Sequence, residues 1–135
     1  MTTTINAVSG TGLTQTSDGS GIVKLQSNGV ATNALAWVNF GYISSAITIR
    51  SSYNVSSVTR NGTGDYTINF ANATSDANYA VIALANFSNT RGDTVSNHNV
   101  WTVGHAGTTL AAYVSTCSAT QYYDMQTVSA AIFGN

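Results

Sequence analysis

The fold is indicated most clearly by residues 53–70, which read YNVSSVTRNGTGDYTINF. Two runs rich in β-branched and aromatic residues flank the turn sequence Asn-Gly-Thr-Gly at 61–64. Asn-Gly and Gly accept positive φ without a Cβ clash, so this stretch predicts a β-hairpin. Tyr66, Ile68 and Phe70 alternate with polar residues, which predicts a strand with one face in a core and the other in solvent.

Similar strand patterns recur at the spacing of about 8 to 12 residues that is typical of sandwiches and barrels. They lie at 22–25, 35–40, 46–50, 79–87, 100–103, 110–114 and 128–133. The continuous apolar run at 79–85 predicts a central strand buried on both faces. We therefore expect an all-β fold, an antiparallel β-sandwich or jelly-roll-like domain at residues 34–135.

The chain of 135 residues is sparsely charged, with four basic and five acidic residues. A net charge of −1 with so few basic residues cannot neutralise a phosphate backbone, so nucleic-acid binding is not expected. No apolar run approaches the ~18 residues of a membrane span, so membrane insertion is not expected either. The first residues lack the basic and apolar regions of a Sec signal peptide. A single cysteine, Cys117, excludes an internal disulfide framework and a Cys-based zinc site.

Residues 1–33 differ from the rest, because they hold one short apolar run amid Gly, Ser and Thr. That is too little for an independent core, so we expect a short extended segment that needs a partner. Sheet edges are usually protected by Lys, Pro or other charges, yet the chain has no Pro and a single lysine, Lys24. A net charge near zero also favours association. The sequence therefore predicts a homo-oligomer, with three-fold assembly as the hypothesis.

Candidate binding residues are aromatic and polar side chains in or near the long polar stretch 86–99, a length that indicates a functional or a disordered loop. Sugar rings are bound by stacking on Trp or Tyr faces and by hydrogen bonds from polar side chains. The candidates are Arg91, Asp93, Asn97, His98, Trp101, Tyr122 and Tyr123, with Asn99 and Asp124 beside them. Core packing is expected for Trp37, Tyr53, Tyr66 and Tyr79, and it remains the alternative for Trp101, Tyr122 and Tyr123.

Neither catalysis nor a cofactor is expected. Glycan cleavage relies on paired carboxylates, but the chain has five Asp and no Glu, and Asp65 and Asp76 fall in predicted turns. His98 and His105 would point to opposite faces of one strand. One histidine from each chain of a trimer would be able to hold a metal ion on the axis, but a surface or hydrogen-bonded role is favoured, and no metal site is predicted. Cys117 is expected to be buried or half-buried.

Four segments and the closing residues form a recognisable series. They are AWVNF at 36–40, IRSSYNVSSV at 49–58, NGTGDYTINF at 61–70, DANYAV at 76–81 and VSAAIFGN at 128–135. This series resembles the C-terminal domain of many tailed-bacteriophage tail-fibre proteins, and residues 4–26 are similar to the opening of many phage fibre and virion-associated proteins. The resemblance implies a homotrimer on the phage particle, with a virion-attachment and trimerisation segment at 1–33 and a β-sandwich knob domain at 34–135. Exposed tip loops would contact the host surface.

We therefore expect a phage virion structural protein that is assembled in the host cytoplasm. Its expected role is a short tail fibre or host-recognition tip that binds cell-surface glycan without catalysis, through many weak contacts. Its partners would be its own copies, other tail, baseplate or capsid proteins, and host polysaccharide. Phage fibres usually carry a long shaft, whereas here the opening segment runs directly into 34–135. A capsid decoration or cement protein that stabilises the phage head therefore remains an alternative, and a glycan-cleaving spike is a weaker third one.

Overall fold

The structure, a computed structural model, describes residues 26–27, 30–86, 101–117 and 121–134. Within these ranges the chain forms strands and no helix. The strands are β1 Gln26–Ser27, β2 Val30–Ala31, β3 Ala36–Ile43, β4 Ala46–Tyr53, β5 Val55–Gly62, β6 Asp65–Phe70, β7 Ala80–Asn86, β8 Trp101–Thr108, β9 Ala111–Cys117 and β10 Thr127–Phe133.

Two four-stranded antiparallel sheets make up the body of the structure. The first sheet has the order β4-β3-β10-β7 and the second the order β5-β6-β9-β8, while β1 and β2 form a separate two-stranded ribbon. The inward residues of both sheets form one core. Across it, the rings of Phe40 and Tyr66 meet edge to face with their centroids 5.2 Å apart. The sequence-based prediction of an all-β, sandwich-like fold is confirmed at this level.

The predicted hairpin at 53–70 is also confirmed. β5 and β6 pair antiparallel around a turn in which Gly64 has a φ of 63°, in the left-handed region that favours glycine. Tyr66, Ile68 and Phe70 are all buried, and the residues between them are only partly buried. The alternation in the sequence therefore defines the inner and outer faces of the second sheet.

The prediction of a central strand at 79–85 is wrong. β7 lies at the edge of the first sheet, and β10 occupies an interior position between β3 and β7. Val81 and Ala83 pack against the core, whereas Ile82 and Leu84 are 59% and 73% exposed. The run is continuously apolar because the outer face of the sheet is apolar here as well, although no described residue covers that face.

Two aromatic residues that were expected in the core lie on the outer face of the first sheet instead. Trp37 and Tyr53 are register partners on β3 and β4; Trp37 is 39% exposed and Tyr53 is half-buried. Trp37 alternates with inward residues of its strand, so its ring points away from the core. Core packing is confirmed for Tyr66 and for Tyr79, whose ring meets that of Phe70 edge to face.

The N-terminal segment predicted at 1–33 is described only in part. β1 and β2 fall within it, and the strand predicted at 22–25 lies outside the described residues. The division into 1–33 and 34–135 and the three-fold assembly therefore stay predictions.

Candidate functional site

Along β5 and β6 the outer face of the second sheet is polar, and its side chains form hydrogen bonds with one another. Asn69 Nδ2 donates hydrogen bonds to Ser57 Oγ (3.0 Å) and Thr59 Oγ1 (3.1 Å). Asn61 Nδ2 donates to Thr67 Oγ1 at 2.9 Å. Such cross-strand pairs fix amide and hydroxyl groups in defined positions on an exposed surface.

An open cleft with a volume of about 590 Å³ lies on this face. We call it the sheet-face cleft, and its lining residues are Asn61, Thr63, Asp65, His105, Tyr113, Ser115 and Tyr122. The strand register brings them together, because Tyr113 of β9 lies opposite His105 of β8, and Ser115 lies opposite Asp65 of β6. Strands that are distant in the sequence therefore supply one site.

Tyrosine rings and an imidazole form the aromatic part of the sheet-face cleft. The rings of His105 and Tyr113 have centroids 5.3 Å apart and planes inclined by 43°. Gly107 leaves room for the Tyr113 ring, since a Cβ at that position would lie 2.6 Å from Tyr113 Cε2. Tyr122, which is 57% exposed, adds a second phenol ring. A planar ligand face would thus find aromatic surface on more than one side.

The polar groups of the cleft offer both hydrogen-bond donors and acceptors. Asp65 contributes a carboxylate, His105 an imidazole and Ser115 a hydroxyl. The Asn61 amide is oriented by Thr67, but no described residue forms a hydrogen bond with the Asp65 side chain. An oriented amide and further polar groups beside aromatic rings suit the recognition of a hydroxyl-rich molecule.

Asp124 was expected beside the binding residues, but the structure makes it an internal acceptor. Its Oδ1 accepts hydrogen bonds from Arg60 Nε (3.0 Å), the Gly64 backbone N–H (3.0 Å) and Tyr66 Oη (2.9 Å). Its Oδ2 accepts from Arg60 Nη2 at 2.8 Å. Arg60 Nη2 also donates to Thr63 Oγ1 at 2.9 Å. The network therefore ties residues 121–125 to the β5–β6 hairpin and positions one wall of the cleft.

The protonation states in this network follow from its contacts. Burial alone would raise the pKa of Asp124, but the hydrogen bonds from Arg60, Gly64 and Tyr66 outweigh it and lower the pKa below the ordinary value of 3.8. The hydrogen bond to Asp124 raises the pKa of Arg60. Burial, followed by the hydrogen bond to Asp124, raises the pKa of Tyr66 well above its ordinary range. At neutral pH the carboxylate is therefore ionised and the phenol is a donor.

The structure separates the neighbouring residues Tyr122 and Tyr123. Tyr122 lines the sheet-face cleft, whereas Tyr123 packs against the core and its hydroxyl donates to Gln121 Oε1 at 2.7 Å. Trp101 is the first residue of β8, and its register partner Cys117 also bridges to Tyr122. Cys117 is half-buried, as expected. Cys117 therefore lies between the start of β8 and Tyr122.

The other predicted binding residues lie outside the described residues. They are Arg91, Asp93, Asn97 and His98, together with their neighbour Asn99. Their part in ligand binding stays a prediction. For Trp101 the structure describes only the backbone, which pairs with Cys117.

Most of the residues that line the cleft were not among the predicted binding residues. His105 and Tyr113 point outward from the neighbouring strands β8 and β9. The alternation of inward and outward side chains along residues 101–117 was the sequence signal that could have indicated them. Asp65 was assigned to a turn, but it begins β6 immediately after Gly64. Asp76 lies in the connection between β6 and β7 rather than in a hairpin turn, and its carboxylate accepts a hydrogen bond from the Asn78 backbone N–H at 2.7 Å.

The part of the chain that the structure describes contains no group of three or more His, Cys, Asp or Glu side chains that could hold a metal ion. No helix in the same ranges is long and apolar enough to cross a membrane.

Comparisons with protein-family models, curated proteins and solved structures found no match to this chain. A functional assignment therefore rests on the chain's own residues.

Proposed function

We propose that this chain is a bacteriophage virion structural protein, a short tail fibre or host-recognition tip that assembles as a homotrimer. It binds host cell-surface glycan in the sheet-face cleft without catalysing a reaction. It is assembled in the host cytoplasm and attaches to other tail, baseplate or capsid proteins.

The observation that carries the glycan-binding proposal is the composition of the sheet-face cleft. Tyr113 and Tyr122 offer ring surface for the apolar face of a sugar, while Asp65, His105 and Asn61 offer hydrogen-bonding groups for its hydroxyls. The cleft is open, so a chain of sugars is able to enter and leave it. Weak binding at each copy becomes strong adhesion when several copies engage one surface.

Binding without cleavage is favoured by the state of the carboxylates. Glycosidases need two carboxyl groups that flank the scissile bond, one of them protonated. Asp65 lines the cleft, but Asp124 is ionised, paired with Arg60 and occupied by hydrogen bonds from Gly64 and Tyr66. Asp124 is therefore a poor general acid, and Asp65 has no suitable partner among the lining residues.

A capsid decoration or cement protein is the alternative, and the apolar outer face of the first sheet gives it some support. Such a face would suit attachment to a larger protein surface as well as contact between copies. The two roles predict different locations on the particle. Labelling of intact phage particles with an antibody against this chain, read by electron microscopy, distinguishes the tail tip from the head.

The glycan proposal is tested by measuring binding of the purified full chain to immobilised bacterial lipopolysaccharides and capsular polysaccharides. On any polysaccharide that the unmodified chain binds, Tyr122→Ala is expected to weaken binding at least about tenfold, or ~1.4 kcal/mol. Tyr122→Phe, which keeps the ring, is expected to bind nearly as well. Asp65→Asn removes the carboxylate and is expected to weaken binding while stability is unchanged.

Two results would contradict the proposal. One is unchanged binding by both Tyr122→Ala and Tyr113→Ala, when circular dichroism shows that each variant is folded. The other is release of new reducing ends from a bound polysaccharide, which would show catalysis. Particle labelling confined to the head would instead favour the decoration role.

A further inference from the structure

The outer faces of the two sheets differ sharply in character. The second sheet presents the hydrogen-bonded polar residues of β5 and β6, with Val103 of β8 as an exposed apolar residue, whereas the first presents several exposed apolar side chains. The apolar outer face consists of Trp37, Ile82, Leu84, Ala131 and Phe133. Its large members are between 36% and 73% exposed. A sandwich whose two outer faces both meet water would be expected to carry polar side chains on each.

The apolar outer face is continuous across three strands. Ala131 of β10 lies opposite Trp37 of β3 on one side and opposite Ile82 of β7 on the other, so the three form one row. In the next row Ser129 lies between Asn39 and Leu84. A groove of about 230 Å³ runs along these rows. The face is therefore a shaped surface and not a set of scattered apolar residues.

Polarity increases from β7 towards the opposite edge of the sheet. Asn39 Nδ2 donates to Ser129 Oγ at 2.8 Å, and Asn39 Oδ1 accepts from Arg50 Nη1 at 3.2 Å. Arg50 Nη2 also donates to the Gln126 carbonyl oxygen at 2.6 Å. The Arg50 guanidinium thus lies at the margin of this face, where it donates internal hydrogen bonds. An apolar centre beside a satisfied polar rim is the usual anatomy of a protein interface.

We propose that the apolar outer face is the surface through which copies of this chain associate, with Ile82 and Leu84, its two most exposed side chains, within the contact. The inference rests on the proposed function, in which the virion protein is a homo-oligomer. It adds the sheet and the residues that make the contact.

Charge favours a second copy as the occupant. None of the residues of the apolar outer face is charged, so the face is compatible with itself and offers nothing to a strongly charged partner. The whole chain has a net charge of −1, so copies repel one another little.

The area that the apolar outer face exposes also fits an interface with a second copy. Trp37, Ile82, Leu84 and Phe133 together expose on the order of 400 Å². A stable interface buries about 800 Å² per partner, so these side chains would supply about half of it and the polar rim the rest.

The test is the mass of the full chain in solution, measured by light scattering or sedimentation at micromolar concentration. The unmodified chain is expected at a multiple of 14.0 kDa, about threefold if it is a trimer. Leu84→Glu places a charge within the contact, at the most exposed apolar side chain of the face, and is expected to reduce the mass to that of one chain. Leu84 is 73% exposed, so the folded monomer tolerates this change.

Leu110→Glu is the matched control. Leu110 is 54% exposed in the turn between β8 and β9, outside the apolar outer face, so this variant is expected to keep the mass of the unmodified chain. The inference is overturned if Leu84→Glu keeps that mass as well, or if the unmodified chain is a monomer. A loss of mass in both variants would overturn the assignment to this face.

Hydrogen exchange distinguishes a second copy from other occupants. Protection of the β7 backbone is expected to decrease when the chain is diluted from micromolar to nanomolar concentration, because dilution dissociates copies. If the mass falls on dilution while protection of β7 does not change, the contact between copies lies elsewhere and the inference is overturned.

Glycan binding by the Leu84→Glu monomer separates this inference from the proposed function. If the monomer binds polysaccharide more weakly on a dense surface but equally per site, both stand. If the mass falls as expected but neither form binds glycan, the interface stands and the glycan-binding role fails.

Discussion

Replacing Tyr66 by Phe removes one hydroxyl from the polar network beneath the sheet-face cleft and leaves the buried ring in place. Tyr66 has no exposed surface, and its ring packs edge to face on Phe40. Its hydroxyl donates to Asp124 Oδ1 at 2.9 Å. Phe preserves the ring contact, so the change removes only the hydroxyl and its hydrogen bonds, to the Asp124 carboxylate and with the Met125 backbone.

The expected loss at neutral pH is about 1.5–2.5 kcal/mol of unfolding free energy. A hydrogen bond to a charged group contributes about 1.5–3 kcal/mol, more than one between neutral groups. The loss stays below the upper limit because Asp124 Oδ1 still accepts from Arg60 Nε and the Gly64 N–H. For a domain of this size the loss corresponds to a decrease in Tm of about 5–10 °C.

The penalty should depend on pH, because the hydrogen bond favours the ionised carboxylate. The pKa of Asp124 is lowered in the folded state, so its stabilisation is fully present above its ordinary value of 3.8 and is lost as the pH falls through the lower folded value. Tyr66→Phe should therefore cost most at neutral pH and progressively less as the pH falls through the lowered pKa of Asp124.

Urea unfolding followed by circular dichroism, at one fixed protein concentration, measures these free energies. The control is the same substitution in an Asp124→Asn background, where the acceptor is neutral and the cost of removing the hydroxyl should fall to about 1 kcal/mol or less. Equal costs in the two backgrounds, or a cost that does not change with pH, would refute the assignment of Asp124 as an ionised acceptor for Tyr66.

Three further predictions concern stability, measured by the same unfolding experiment. Ile68→Ala should cost about 3 kcal/mol, because Ile68 has no exposed surface and its removal leaves a cavity between the sheets. Gly64→Ala should cost at least about 2 kcal/mol, since φ is 63° and the new Cβ would lie 2.5 Å from the Thr116 carbonyl oxygen. Asn54→Ala should cost about 2–3 kcal/mol, because Asn54 has a φ of 53° and its side chain bonds the Leu35 carbonyl oxygen and the Asn72 N–H. Asn54→Gly should recover only the part of that loss that is due to backbone conformation.

The hairpin at 53–70 was predictable because its information is local. The glycine that the turn requires and the two-residue alternation of Tyr66 and Ile68 both lie within one short stretch. Asn54 shows where local information ends. Its side chain joins residues 35 and 72, which are far from it in the sequence, so its structural role follows only from the assembled fold.

The apolar run in β7 illustrates an ambiguity that a single sequence does not resolve. A central strand covered on both faces and an edge strand with an apolar outer face have the same pattern, because periodicity records the polarity of side chains and not what covers them.

The residues of the sheet-face cleft could not be predicted together for a related reason. His105 and Asp65 lie forty residues apart in the sequence, and they share a face only through the register of β8, β9 and β6.

In so sparsely charged a chain, the use of each charge helps to indicate function. Within the described ranges, Arg50 donates a hydrogen bond to the Gln126 carbonyl oxygen, and Asp76 accepts one from the Asn78 N–H. Arg60 and Asp124 form an ion pair. Asp65 differs, because no described residue bonds its carboxylate and it lines the sheet-face cleft. An exposed carboxylate adds little to the stability of a domain, so the proposed function assigns Asp65 to ligand binding. That reasoning makes Asp65→Asn the variant in which binding and stability should separate most clearly.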